Sequence, residues 1–163
     1  IMGNKMNKTL SLFLLLVMMM PLNADTFSKK SLSLETARKM AEACLSLAKE
    51  NKWKINIAIY DSSRALKYYA AMDNSYPASE EIAKLKGKTS AGLPLTTKDL
   101  SDRAFQGEKL GAGLITIPET MLLQGGIPII LQDGNHIGGI GVSGDSGVND
   151  EVCAEAALNT IFK

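Results

Sequence analysis

Apolar residues recur at steps of three and four early in the chain: Leu34, Ala37, Ala41, Cys44, Leu45 and Ala48. This spacing is the stripe of one helix face. Ser33 stands before it as an N-cap and Glu35 lies in the first turn, where the helix dipole favours an acid. Lys49 and Lys52 mark its end. The period then drops to two. In KINIAIYD, residues 54–61, Ile55, Ile57 and Ile59 alternate with smaller or polar residues, which predicts a half-buried strand. A turn over Asp61, Ser62, Ser63 and Arg64 leads into ALKYYAAMD, so the two strands form a hairpin. Ser79 is read as the cap of a helix that opens on Glu80 and Glu81 and carries Ile82, Ala83 and Leu85. Thr96 caps a short helix over residues 97–106.

Beyond Phe105 the pattern changes again. Of the 13 glycines after the first 24 residues, 11 fall from Gly107 onward, so this half must consist of turns and strands with close backbone approaches. GLITIPE is expected to be a strand. IPIILQ, residues 127–132, is another, with Pro128 at its first or edge position. Asp133-Gly134 signals a hairpin turn and HIGGIGVS returns as its partner strand. Asn149 is expected to cap a last helix, DEVCAEAALNTIF, that buries Val152, Cys153, Ala156, Ala157 and Ile161. Tight turns between neighbouring strands make the sheet antiparallel. The order predicts an α/β (α+β) domain, an antiparallel sheet of about five strands covered by the first and last helices.

The N-terminus follows a different rule. Lys5 and Lys8 precede the apolar run LSLFLLLVMMM, residues 10–20, and Pro21 to Ala24 follow it. This is the layout of a cleaved secretory signal, with the cut after Ala24. The run is too short for a membrane span, which takes about 20 residues. Residues 25–32 then read as a flexible leader and residues 33–163 as the domain, placed in the periplasm or secreted. Losing residues 1–24 removes two lysines and no acid, leaving 16 basic against 17 acidic residues. That balance carries no nucleic-acid footprint.

Cys44 and Cys153 sit on the first and last predicted helices. A bridge between them requires Cα atoms within about 7 Å. The sequence does not supply that distance, and the pair is expected to be two small buried hydrophobes. There is no CxxC and no Cys/His cluster, so no structural zinc site is indicated.

GIGVSG, residues 139–144, has the spacing G-x-G-x-x-G of a dinucleotide loop. Such a loop needs a βαβ unit and an acid about 20 residues further on. Here the sequence reaches Lys163 only 19 residues after Gly144, and Asp145, Asp150 and Glu151 would repel a phosphate at the following helix. The nucleotide reading fails. Gly138, Gly139, Gly141 and Ser143 are instead small residues that admit a close approach, by another backbone or by a ligand.

GGIPIILQDGNHIGGIGVSGDSGVNDEVCAEAAL resembles the C-terminal block of the GlcG/HbpS-like family of haem-binding or haem-degrading proteins, related to the C-terminal domain of PduO-type proteins. The matching positions are Gly125, Gly126, Pro128, Gly134, Gly138, Gly141, Val142, Ser143, Gly144 and Asp150. Upstream, a strand ending in Asp61, the pair Met72-Asp73, and Ala83, Lys86 and Thr89 fit as well. The resemblance covers about residues 33–163. It implies a profilin-like fold, assembly into homo-oligomers, and haem or a related tetrapyrrole as ligand, with haem degradation as the family's enzymatic possibility.

On that resemblance the candidate ligand-binding residues are Met72, Lys86, Gly125, Gly126, His136, Gly141 and Ser143. Met72 and the tyrosines Tyr68, Tyr69 and Tyr76 are candidate axial ligands or stacking surfaces. Lys86 and Arg64 are candidate partners for a propionate or small carboxylate. Family haem binding leans on histidine, and His136 is the one histidine in this chain. Where many family members carry GGHL or GNL after the first strand, this chain reads SRAL, Ser63 to Leu66. No catalytic triad is present. The sequence therefore points to an exported, non-catalytic ligand-binding protein. A module for a small, glycolate-like organic acid and an oligomer-forming structural domain are the alternatives.

Overall fold

The computed structural model describes residues 27–106 and 111–162. The expected signal, residues 1–24, lies outside them. Helix α1 spans Leu34–Glu50, capped by Ser33, whose Oγ accepts from the Thr36 N–H at 3.1 Å. It buries Ala37, Met40, Ala41, Cys44 and Ala48. Leu34, expected on that face, is exposed, and Leu32, expected in the leader, fills a place in the core.

Strands β1 (Asn56–Asp61) and β2 (Leu66–Ala71) form the first hairpin. Helices α2 (Ser79–Gly92) and α3 (Thr97–Phe105) follow, then a 3₁₀ turn at Gly111–Thr116. Strands β3 (Gly126–Ile130) and β4 (His136–Ser143) form the second hairpin, and helix α4 (Gly147–Leu158) runs into a last 3₁₀ turn. The antiparallel sheet has the order β2-β1-β4-β3. The fold class is the expected one, with four strands among the described residues rather than about five. GLITIPE is not a strand: it begins as the 3₁₀ turn and leaves Ile115 and Ile117 exposed. Glu119 at its end takes a left-handed backbone, φ 57°, which a strand cannot hold.

The sheet separates two cores. On one face Ile57 opposes Val142 and Ile59 opposes Ile140, and these pack with Ile127 and Ile129 against α1 and α4. On the other face stand Ala58, Tyr60, Gly126, Gly139 and Gly141, and α2 lies across them. Both faces being covered, β1 is buried along its whole length, not half-buried. A side chain on Gly139 would strike the backbone of Ser90 and Ala91. One on Gly141 would strike that of Ala83 and Gly87. The glycines of GIGVSG therefore serve a helix-on-strand contact.

The alanine-rich faces of α1 and α4 lie against each other, close enough to correct the expectation of two unlinked cysteines. Cys44 and Cys153 form a disulfide, with Cα atoms 4.7 Å apart. The cap of α4 also differs from expectation. Ser146, not Asn149, holds the position, and its Oγ accepts from the Asn149 N–H at 3.2 Å, so the helix starts earlier at Gly147. Likewise α2 is capped at Ala78, with Ser79 its first residue. In α4 the buried residues include Ala154 beside Cys153 and Ala157, whereas Val152 is exposed.

Candidate functional site

Helix α2 crosses the glycine face so closely that its inward side holds small and polar residues: Ala83, Lys86, Gly87, Ser90 and Ala91. Lys86 is the exception in length. Its side chain runs to the end of β4 and is 2% exposed. There Nζ donates to the Val142 carbonyl at 2.7 Å and to Asp150 Oδ2 at 2.8 Å. Asp150 lies in the first turn of α4, and its Oδ1 accepts from the Asp145 N–H at 3.1 Å. The pair thus ties α2, β4 and α4 together at one end of the sheet.

Two glycines make room for it. Gly125 has φ 118°, and a side chain there would meet Asp150, Lys86 Nζ and the Val142 carbonyl. Gly126 donates its N–H to Thr97 Oγ1 at 2.9 Å, and Thr97 Oγ1 donates to the Leu123 carbonyl at 2.7 Å. The family-implied positions Lys86, Gly125 and Gly126 are therefore one structural unit. Burial pushes the Lys86 ammonium below its ordinary value and the Asp150 carboxyl above its own, while their mutual attraction opposes both shifts. Burial is the larger influence on each.

Above this pair opens a cleft of about 520 Å³. Its lining includes the apolar or aromatic residues Tyr76, Ile82 and Leu123 and the polar residues Ser143, Asp145 and Asp150. The volume is that of a small-molecule site. Tyr76 and Leu123 are exposed at its rim. Ser143 comes from the last position of β4, and Asp145 from the turn into α4.

The remaining candidates lie elsewhere. His136 is at the opposite end of β4, where its Nε2 is 2.9 Å from the Ser90 carbonyl. Met72 and Tyr68 pack against the core beneath α1, across the sheet from the cleft. Tyr69 packs on the α2 side with Lys84 Nζ 4.9 Å from its ring centroid. Arg64, with φ 61°, pairs with Glu119 at 3.4 Å. Gly141 is covered by α2. Among the candidates Lys86, Ser143 and Tyr76 meet at the cleft; the others do not. Asp150 enters the sequence reading as an acid that would repel phosphate and as a matching position of the family block, not as a site residue. The available signal was Lys86 itself, since a lysine on an inward helix position needs an acid partner. Among the described residues no group of three or more His, Cys, Asp or Glu is placed to hold a metal, and no helix is long and apolar enough to cross a membrane.

Residues 32–159 match the family described as haem degrading protein HbpS-like. A Citrobacter freundii relative, an uncharacterized 15.0 kDa protein of the dhaT-dhaS intergenic region, is 30% identical over 130 residues, covering 79% of this chain and 91% of its own. A double mutant of Streptomyces reticuli HbpS superposes with a TM-score of 0.78 at 29% identity, covering 87% of this chain and 97% of its own. The structure of a PduOC–haem complex superposes with a TM-score of 0.72 at 25% identity, covering 80% and 94%.

Proposed function

The chain belongs to the HbpS-like haem-degrading family, and from that premise we propose that it is an exported, non-catalytic binding protein for haem or a related tetrapyrrole. The observation that carries this reading is the cleft beside Tyr76, in a fold shared with a haem-bound relative. A tyrosine oxygen is an established class of haem-iron ligand. Tyr76 stands exposed at the rim, and Ile82 and Leu123 offer apolar contact to a flat ring. His136 is engaged with Ser90 at the far end of β4 and Met72 belongs to the core, so neither serves this cleft. Lys86 is not a propionate partner, because Asp150 already answers its charge. Bound haem would supply iron redox chemistry; Tyr76 would offer an oxygen ligand, and Ile82 and Leu123 apolar contact, above the buried Lys86–Asp150 pair.

Export is supported by the Cys44–Cys153 disulfide, which persists in oxidising compartments and not in a reducing cytosol. Assembly into homo-oligomers is supported by the exposed Phe105 on α3, Ile115 on the 3₁₀ turn that contacts it and Ile117 just beyond that turn. Titration of the mature chain with hemin tests the ligand. A saturable Soret shift at micromolar protein is expected, and an unsaturable, detergent-like response overturns the reading. A small organic acid is the second reading, favoured by Ser143, which lines the same cleft. Thermal shift with glycolate and lactate separates the two.

A further inference from the structure

An ammonium group has three donors. Lys86 spends two, on Val142 and Asp150, and its side chain forms part of the cleft wall. A lysine and an aspartate buried together are one proton transfer away from an amine beside a carboxylic acid. An unprotonated amine is a nucleophile, and a neighbouring acid is what an amine–carbonyl condensation needs. The sequence places these two groups 64 residues apart, and the fold sets them 2.8 Å apart under an open cleft. We propose that Lys86 captures a small uncharged aldehyde or ketone as an imine, with Asp150 relaying the protons.

The direction of both titrations eases the proton transfer within the ion pair: burial lowers the lysine and raises the aspartate. The groups that face the pair and its cleft favour an uncharged carbonyl compound over a carboxylate. Asp145 lines the cleft, Asp150 forms its floor, and Glu151 adjoins Gln124 beside it. Of these, Asp145 and Glu151 repel an incoming anion. The volume sets an upper bound on size, and the near-complete burial of Lys86 restricts access to compact molecules.

The step balances without an oxidant or reductant. A proton passes from Nζ to Asp150, and the freed lone pair forms a C–N bond to the carbonyl carbon as the C=O π pair moves onto oxygen. That oxygen takes the proton from Asp150. The carboxylate then removes a proton from nitrogen and returns it to the hydroxyl, which leaves as water as C=N forms. The product is a protonated imine paired with ionised Asp150, and the net change is amine plus carbonyl giving imine plus water.

The test is reductive trapping on the full folded chain free of haem, using isobutyraldehyde with sodium cyanoborohydride near neutral pH, followed by peptide mapping by mass spectrometry. We expect Lys86 to carry the adduct at a rate about tenfold above any exposed lysine, because burial shifts its amine toward the unprotonated form and Asp150 stands 2.8 Å away to relay the protons. Glyoxylate, a charged aldehyde, is expected to label Lys86 more slowly than isobutyraldehyde does. Lys86→Arg keeps the charge, lacks the nucleophile and is expected to lose the fast adduct. If that variant does not fold, the map of the unmodified protein decides by itself. Labelling spread over exposed lysines, or an unlabelled Lys86, overturns the proposal and leaves Lys86–Asp150 as a structural ion pair. The hemin titration reads a different signal, so either proposal can fail without the other.

Discussion

Gly141 of β4 and Gly87 of α2 meet backbone to backbone, with no side chain between strand and helix. A Cβ on Gly141 would overlap the Gly87 amide and the Ala83 carbonyl. A Cβ on Gly87 would in turn press on the Ala58 carbonyl and the Tyr60 ring. This contact sets the height of α2 above the sheet, and so the reach of Lys86 to Asp150.

Gly141→Ala is therefore expected to destabilise the fold by about 3 kcal/mol, the upper range for overpacking, since backbone and not a flexible side chain must give way. Thermal melting is expected to show a drop of about 6–12 °C for a chain of this size. Gly113→Ala is the control, because a Cβ at Gly113 meets nothing. Equal melting points for both variants would mean that α2 does not rest on this glycine face.

The hydrophobic pattern made much of this fold legible, and its limits have physical causes. Helix α1, both hairpins and the DG turn follow the periodicities and turn signals of the sequence. Helix α2 does not advertise its inward side: Leu85 is only half-buried whereas Lys86, Thr89 and Ser90 are buried. A glycine strand leaves space for backbone and for short or paired polar side chains, and apolar periodicity cannot report such a face. The alternation Gly139, Ile140, Gly141, Val142 did mark one face as apolar and the other as glycine, but its occupant was ambiguous between helix and ligand. GLITIPE carries strand-like residues, yet the turn ending at Glu119 takes them out of the sheet. The site was legible in Lys86, Gly125 and Gly126 through family resemblance, whereas the role of Asp150 depends on a contact 64 residues away.

The disulfide closes a sequence separation of 109 residues. Its removal is expected to cost about 5 kcal/mol, by the loop-closure estimate for a link of this span. In urea, the double variant Cys44→Ala/Cys153→Ala is expected to show a midpoint lower by about 2 M. Reductant is expected to bring the unmodified protein to the same midpoint, slowly, since both cysteines are buried. Identical midpoints with and without reductant would show that the bridge does not form in solution.

Asp61 gives the fold an acid-sensitive joint. Burial pushes its carboxyl up, but the N–H groups of Ser63 and Ala65 and the Lys67 ammonium together outweigh burial and hold it below its ordinary 3.8. A carboxyl lowered on folding stabilises the fold above its unfolded value, and that contribution is lost as pH falls through the folded value. Stability is thus expected to fall below about pH 4 as Asp61 protonates. Asp61→Asn is expected to cost about 1–3 kcal/mol at pH 7, and less at pH 2, where the native residue is itself neutral. Urea unfolding at the two pH values measures this. A penalty that stays constant with pH would assign the effect to geometry and not to charge.

Tyr76 is the sharpest point at which the haem reading meets the sequence. Its ring lies at the rim of the cleft, and removing only the hydroxyl leaves the packing of that rim intact. Tyr76→Phe is expected to weaken hemin binding at least about tenfold, or 1.4 kcal/mol, and to abolish the absorption features of a ferric tyrosinate complex. His136→Ala and Met72→Leu are expected to leave the spectrum unchanged. His136 lies at the other end of β4, and Met72 packs across the sheet. A spectrum altered by His136→Ala but not by Tyr76→Phe would move the haem to the far end of the sheet, beside Ser90, and vacate the cleft for the carbonyl ligand that Lys86 is placed to capture.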